Sequence, residues 1–418
     1  MKLNLKKRIK VLRMGYPVMK HSEKIALLIT GMSLPLVTAR IELPVMSLSL
    51  FMLSLVLLIF LNARLILHNL NVYFSDAIIL SFLIVTLASL FRSENIAYGI
   101  AQWIKLTVVI VLFVLSRALF YKKPYYVEVI MRYSSLGLAG YLLYLMWYYL
   151  VIFEQTYIGI ETAYVTRSGK NSLAFVVCSV IPYTLVSFSN SIEVGGVGIL
   201  DVFVTLVSVV GAILIQSRAL FLIIGFYLLV VLKKHNISLR TIAMAVLGFI
   251  ILVLLVRFFA PSHILLDITT RFRSIILLVD DSYVIEGSGA AIGVGSIESR
   301  RYLIDKGLHM FTQKPIFGNG LGSFRYFGGI SSSVSHNDYV QIIAEQGFVG
   351  LAIFLVMIVC FNWRAYSNYR KDKDQLWILL SITGISVYLL MINAYDNIII
   401  WTLLAIVDAN YRLLKKNL

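Results

Sequence analysis

Charge is scarce in this sequence. Of 418 residues, 14% are Asp, Glu, Lys or Arg, while 59% are hydrophobic. A soluble chain of this length needs far more charge to solvate its surface, so a soluble globular fold is excluded. Cysteine is scarcer still. The two present, Cys178 and Cys360, both sit inside apolar segments, and neither a disulfide framework nor a metal site follows from them. Missing too is a small-residue cleavage site after the basic N-terminus, so residues 1–24 read as a retained cytoplasmic tail. Acidic residues number 21 against 37 basic ones, for a formal charge of +16. This excess does not point to nucleic acid, because it sits in the N-terminal stretch and in short polar breaks between apolar runs. The two halves of the chain show no convincing repeat, which weighs against a transporter built from internal repeats.

What is present is a succession of apolar runs of about 18 residues or more, each long enough to cross a hydrocarbon core. They predict an all-α polytopic membrane protein of about 12 transmembrane helices. The expected spans are 25–41, 43–62, 73–91, 97–120, 126–153, 172–189, 197–216, 219–232, 241–260, 338–363, 375–392 and 396–413. With the N-terminus inside, the cytoplasmic breaks carry Lys122-Lys123, Lys233-Lys234 with Arg240, Arg364 with Arg370-Lys371 and Lys373, and Lys415-Lys416. These are the basic clusters that membrane orientation favours. The chain then divides into a tail (1–24), nine helices (25–260), a large external loop (261–336), three helices (337–413) and a short cytoplasmic tail (414–418). Within the large loop, Ile304, Leu308 and Phe311 recur at helical spacing and predict a helix lying on the membrane surface.

The external side carries an unusual set of arginines: Arg167, Arg218, Arg271, Arg273, Arg300, Arg301 and Arg325. Guanidinium groups grip phosphate oxygens bidentately and stay charged at any relevant pH. Several converging there suit a pyrophosphate carried on a lipid. The plainer reading pairs them with Asp267, Asp280, Asp281, Glu286, Glu298 and Asp305, or with lipid headgroups. Arg218 sits in a tight break between two apolar runs, where acidic partners are few. The sharpest local signal is Ser335-His336-Asn337-Asp338. Ser335 and Asp338 have capping-box-like spacing, which places His336 in the first turn of the tenth helix. The positive helix end and the arginines are expected to keep it neutral, as a general base requires; alone, such a histidine is more often a neighbour of a structural cap. Lys105, inside the fourth span, is either functional or reaches the interface by its own stem. Arg132 and Asp201 lie near cytoplasmic helix ends and are expected to snorkel.

Several of these pieces occur together in one known family. Arg301-Tyr302-Leu303-Ile304, Pro315-Ile316-Phe317-Gly318-Asn319-Gly320-Leu321-Gly322-Ser323-Phe324, His336-Asn337-Asp338-Tyr339 and Glu345-Gln346-Gly347-Phe348-Val349-Gly350 resemble the signature region of the bacterial O-antigen polymerase and O-antigen ligase superfamily. Ser217-Arg218-Ala219-Leu220 matches the family's Ser-Arg motif, and Arg167-Ser168-Gly169-Lys170-Asn171 is similar to its Gly…Asn segment, here without the common proline. The resemblance implies a GT-C-like glycosyltransferase that needs no metal or cofactor. It would act at the periplasmic face of the inner membrane on glycans linked to undecaprenyl pyrophosphate. It makes His336 the base and Arg218 and Arg301 the pyrophosphate ligands, joined more weakly by Arg271 and Arg273. Arg300, Arg325, Asn337, Asn171 and Lys105 are candidate supporting residues. The absence of any clear Asp-x-Asp motif from the external loops fits the metal-free reading.

A polymerase passes the glycan to a second lipid-linked unit; a ligase passes it to lipid A-core. Polymerase is the preferred reading because it does not depend on one type of envelope. A chain-length regulator is a further conceivable partner. Attachment to protein ranks lower. A flippase would predict polar residues along a path through the bilayer, whereas the polar content here concentrates in one loop. A scaffold role leaves the external arginines and His336 unexplained.

Overall fold

The computed structural model describes residues 19–37, 40–42, 47–148, 170–194, 198–215, 217–234, 288–327 and 334–416. The expected span 241–260 and the loop arginines Arg167, Arg271 and Arg273 lie outside these residues. The described chain is helical apart from one short antiparallel strand pair, Arg40–Glu42 with Ser47–Ser49. In chain order the helices are α1 (His21–Ser33), α2 (Leu50–Leu61), α3 (Ala63–Leu67), α4 (Phe74–Ser89), α5 (Ile96–Lys122), α6 (Tyr125–Trp147), α7 (Lys170–Val194), α8 (Ile199–Leu214) and α9 (Arg218–Lys234). After the stretch outside the description come α10 (Ser288–Gln313), α11 (Ser323–Tyr326), α12 (Asp338–Lys371), α13 (Leu376–Tyr388) and α14 (Ile398–Lys416).

The all-α membrane architecture expected from hydropathy is present, but its spans are uneven. Five described helices are long and apolar enough to cross a membrane: 74–92, 96–122, 125–147, 171–193 and 338–371. Others are shorter than expected. The first run is α-helical only to Ser33, because Pro35 cannot donate the next helical hydrogen bond and the chain tightens into a 3-10 turn over Leu34–Leu36. The second begins at Leu50, where Ser49 Oγ accepts from Met52 N, rather than at residue 43. α13 stops at Tyr388 and releases a polar connection, 389–397, before α14.

Two groups of helices share the core. In one, α6 packs on α1, α7 and α8, while α7 also packs on α9 and α13; in the other, α5 packs on α14, and α12 on α4, α14 and α10. Polar pins cross both. Pro182 lies inside α7 and has no N–H for the Cys178 carbonyl one turn earlier. Tyr227 Oη on α9 donates to that carbonyl at 3.3 Å, and Ser381 Oγ on α13 donates to the neighbouring Ser179 carbonyl at 3.0 Å. Gly384 leaves the room for the tyrosine, since a side chain there would overlap its hydroxyl. In the second group Asp408 is fully buried and takes Arg364 on one oxygen and Arg412 and Arg117 on the other. Arg117 also pairs with Asp76. Arg364, expected as a cytoplasmic surface charge, is therefore an interior partner of Asp408.

Candidate active site

The glycine-rich signature is a clasp. α12 is broken at Gly347, whose φ of 67° and ψ of −165° are open essentially to glycine alone. The loop 315–324 stitches this break. Phe348 N donates to the Pro315 carbonyl at 2.8 Å and Val349 N to the Ile316 carbonyl at 3.2 Å. From the other side, Asn319 N donates to the Ala344 carbonyl at 3.0 Å and Gly320 N to the Glu345 carbonyl at 2.8 Å. The buried Glu345 carboxylate accepts the Phe324 N–H at 3.2 Å. Gly318, with φ +67°, has no space for a side chain, which would overlap Gln346 N and the Glu345 carbonyl. The proline-glycine motif and the Glu-Gln-Gly motif are thus one structural unit.

α10 then lies along the start of α12. Leu303 and Met310 are buried with Phe324 and Ala344, and Gly307 sits under Val340. The helix expected inside the external loop exists, but its packed stripe is Leu303–Gly307–Met310. Leu308, expected on the apolar stripe, is exposed, while Ile304 and Phe311 are half-buried.

His336 precedes α12 instead of lying in its first turn. Asn337 is the cap, its Oδ1 accepting from Val340 N at 3.1 Å. Ser335 makes a local turn, its Oγ accepting from Asn337 N at 3.1 Å. Between them His336 has φ +53°, the one positive value on a non-glycine residue among the described residues. Strained backbone of this kind is held by surroundings and concentrates at functional positions. The imidazole is half-buried. Burial pushes it below the usual histidine value, and the Arg300 guanidinium pushes it the same way. The expected neutral form thus follows from desolvation first and from an arginine second, without need of the helix end.

Asp338 does not serve as the far half of a capping box. It is fully buried, and its oxygens accept Ala394 N at 3.1 and 2.9 Å and Asn393 Nδ2 at 3.3 Å. The connection 389–397 thereby enters the site. Its Asn393 Nδ2 also donates to Ser335 Oγ at 3.1 Å, and Met391 Sδ accepts from Arg300 Nη1 at 3.4 Å. Asp396 pairs with Lys105 at 2.5 Å. Lys105 is accordingly an ion-pair partner of this connection, not a charge reaching the interface by itself.

Next to it, Tyr388 Oη donates to the Asn171 carbonyl at 3.2 Å and lies 3.3 Å from Ser217 Oγ. The starts of α7 and α9, with Asn171 and the Ser217-Arg218 motif, therefore converge on the end of α13. Arg300 and His336 meet in the same region. Arg301 is one residue on and exposed, since successive helical side chains diverge by about 100°. Arg325 is exposed and stacks over the Tyr98 ring at 5.6 Å. The residues that sequence reasoning passed over are Tyr388, Met391, Asn393 and Asp396, together with the anchoring role of Asp338. Their signal was the polar stretch Asn393-Ala394-Tyr395-Asp396-Asn397 interrupting two apolar runs.

The fold and this cluster define a polytopic α-helical membrane protein with one arginine- and histidine-bearing polar site at the meeting of α7, α9, α10, α12 and α13. A family model described as O-antigen ligase matches residues 203–355, from α8 into α12. That region carries the Ser217-Arg218 motif, the clasp and His336, and the match supports the resemblance to the O-antigen polymerase and ligase superfamily, whose members are glycosyltransferase-like enzymes. No curated protein matches the chain.

Proposed function

We propose that the chain is a surface-polysaccharide polymerase of the bacterial inner membrane. It transfers a glycan from undecaprenyl pyrophosphate to a sugar hydroxyl of a second lipid-linked repeat unit, as a hexosyl-type glycosyltransferase. Both termini lie in the cytoplasm, the reaction takes place at the periplasmic face, and a chain-length regulator is a fitting partner. The observation that carries the reading is the half-buried His336 beside Arg300, inside the family-matched region.

His336 takes the proton of the acceptor hydroxyl as that oxygen attacks the anomeric carbon. The bond from that carbon to the pyrophosphate oxygen breaks, and undecaprenyl pyrophosphate leaves with the bonding pair. A single displacement of this kind inverts the anomeric configuration. Arg218 and Arg301, with Arg271 and Arg273, hold the pyrophosphate, and Arg300 joins them from the face of α10 nearest the histidine. Fixed guanidinium charges stabilise the negative charge building on the leaving group without a metal.

The description of the matching family favours a second reading, a ligase with lipid A-core as acceptor. One experiment separates the two. His336→Ala is expressed in cells carrying the matching glycan gene cluster, its membrane level is checked, and the glycan is resolved on a gel. Core bearing a single repeat unit identifies a polymerase; bare core with accumulated lipid-linked polymer identifies a ligase. A wild-type ladder removes His336 as the base.

A further inference from the structure

The connection 389–397 lies outside the family-matched region, yet it touches the site elements one after another. Leu389 O accepts from Asp338 N at 2.9 Å, Met391 Sδ from Arg300, Asn393 is bonded to both Ser335 and Asp338, Ala394 N is held by the Asp338 carboxylate, and Asp396 pairs with Lys105. Tyr388, immediately before it, reaches the start of α7 and Ser217.

The hydrogen-bond economy around His336 explains why such a support is needed. Its positive φ is a conformation uncommon for a side-chain-bearing residue and one that surrounding contacts help to hold. On its N-terminal side, Ser335 Oγ accepts from Asn337 N and from Asn393 Nδ2, and donates to the Asn337 carbonyl at 2.7 Å. On its C-terminal side, Asp338 is fixed by N–H donors of the 389–397 connection, among them the Ala394 backbone and the Asn393 side chain. The Asn393 side chain bonds both flanks.

We infer that Asp338 and Asn393 are positioning residues: they lock the 389–397 connection against the 335–338 segment and so set the place of the His336 imidazole relative to Arg300. The inference rests on the reading of His336 as the base and deepens it. Neither residue touches the reacting atoms. A displacement of about 1 Å at a reacting group lowers turnover by about a hundredfold. Loss of the lock therefore acts on turnover, while the donor's pyrophosphate is still gripped by the arginines.

The test uses the full-length protein purified in detergent. Its substrate is the lipid-linked repeat unit extracted from cells that carry the glycan cluster and lack this chain. Asn393→Ala and Asp338→Asn are compared with His336→Ala. The expected result is a kcat lower by about a hundredfold at nearly unchanged KM for the lipid-linked donor. The acid limb of the pH profile moves to higher pH, because a loosened imidazole is better solvated and further from Arg300. In addition, Asn393→Ala combined with His336→Ala is no slower than His336→Ala alone, since positioning has no value once the base is gone. Asp338→Asn turns an amide donor toward the Ala394 N–H and risks misfolding; Asn393→Ala leaves Asp338 on Ala394 and carries the test alone if needed. An unshifted acid limb, a loss confined to KM, or an additive double variant overturns the inference while leaving His336 as base. Wild-type turnover by His336→Ala overturns the underlying reading instead.

Discussion

Replacing Gly347 by alanine probes the clasp that joins the two glycine motifs. At φ 67° and ψ −165° an alanine pays a backbone penalty of roughly 1–3 kcal/mol. Its Cβ would stand 2.5 Å from Gly318 N and from the Ile316 carbonyl carbon and oxygen, all main-chain atoms unable to rotate aside. The loop must retreat, which sacrifices the 2.8 Å bond from Phe348 N to Pro315 and the 3.2 Å bond from Val349 N to Ile316. At about 1 kcal/mol each, these bring the expected destabilisation to about 4 kcal/mol. The assay is thermal unfolding of the purified protein in detergent, with Gly140→Ala and Gly225→Ala as controls. Nothing lies within 4 Å of a Cβ at either control position. Both are helical, so alanine there costs nothing and favours the helix by up to about 1 kcal/mol. Gly347→Ala should melt several degrees below both. If it melts with them, the loop does not hold the helix break and the structural reading of the signature is wrong.

Three further outcomes follow from contacts elsewhere. Tyr227→Phe removes the donor to the Cys178 carbonyl left open by Pro182, and should cost about 1–2 kcal/mol in the same melting assay. Asp408→Ala leaves Arg117, Arg364 and Arg412 facing one another in the interior and should cost about 3–5 kcal/mol, with little relief from added salt. Arg300→Gln removes one of the two causes that lower the His336 imidazole; its pKa rises toward the ordinary 6.5 and burial keeps it below. Activity that needs the neutral ring is then lost at a higher pH on the acid side, a shift visible in a pH–rate profile. The matching stability effect has the opposite baseline: the lowered value makes the folded wild type lose stability as pH falls from 6.5 to that value. This window narrows in the variant.

The sequence was informative wherever a property depends on spacing along one element. A helix beginning within a few residues of Asp338 and a helix around residues 304–311 were legible from pattern alone. Rotation about that helix was not. Ile304, Leu308 and Phe311 form as good a stripe as Leu303, Gly307 and Met310, and only the fit of Gly307 against Val340 decides between them. The same rotation separates Arg300, which reaches Met391, from Arg301, which is exposed. His336 was conspicuous, but its cap was misassigned because serine and asparagine compete for the same role, and Asn337 holds the better-placed oxygen. Asn393 and Asp396 were passed over because a short polar break reads as a turn unless its distant partners are known.

Pro182 has a consequence for how the chain is made. α7 is long and apolar enough to enter a membrane as soon as it is synthesised, but it does so with the Cys178 carbonyl unprovided for. The hydroxyl that serves this carbonyl is 49 residues downstream, and the serine that bonds the next carbonyl is 202 residues downstream. At 5–20 residues per second, these waits are roughly 2–10 s and 10–40 s. Through that interval the helix depends on water or on the insertion machinery for its open carbonyl. The Cys178 carbonyl thus gains its tyrosine partner only once α9 has been made, so the hydrogen bonding of α7 is completed by chain that follows it.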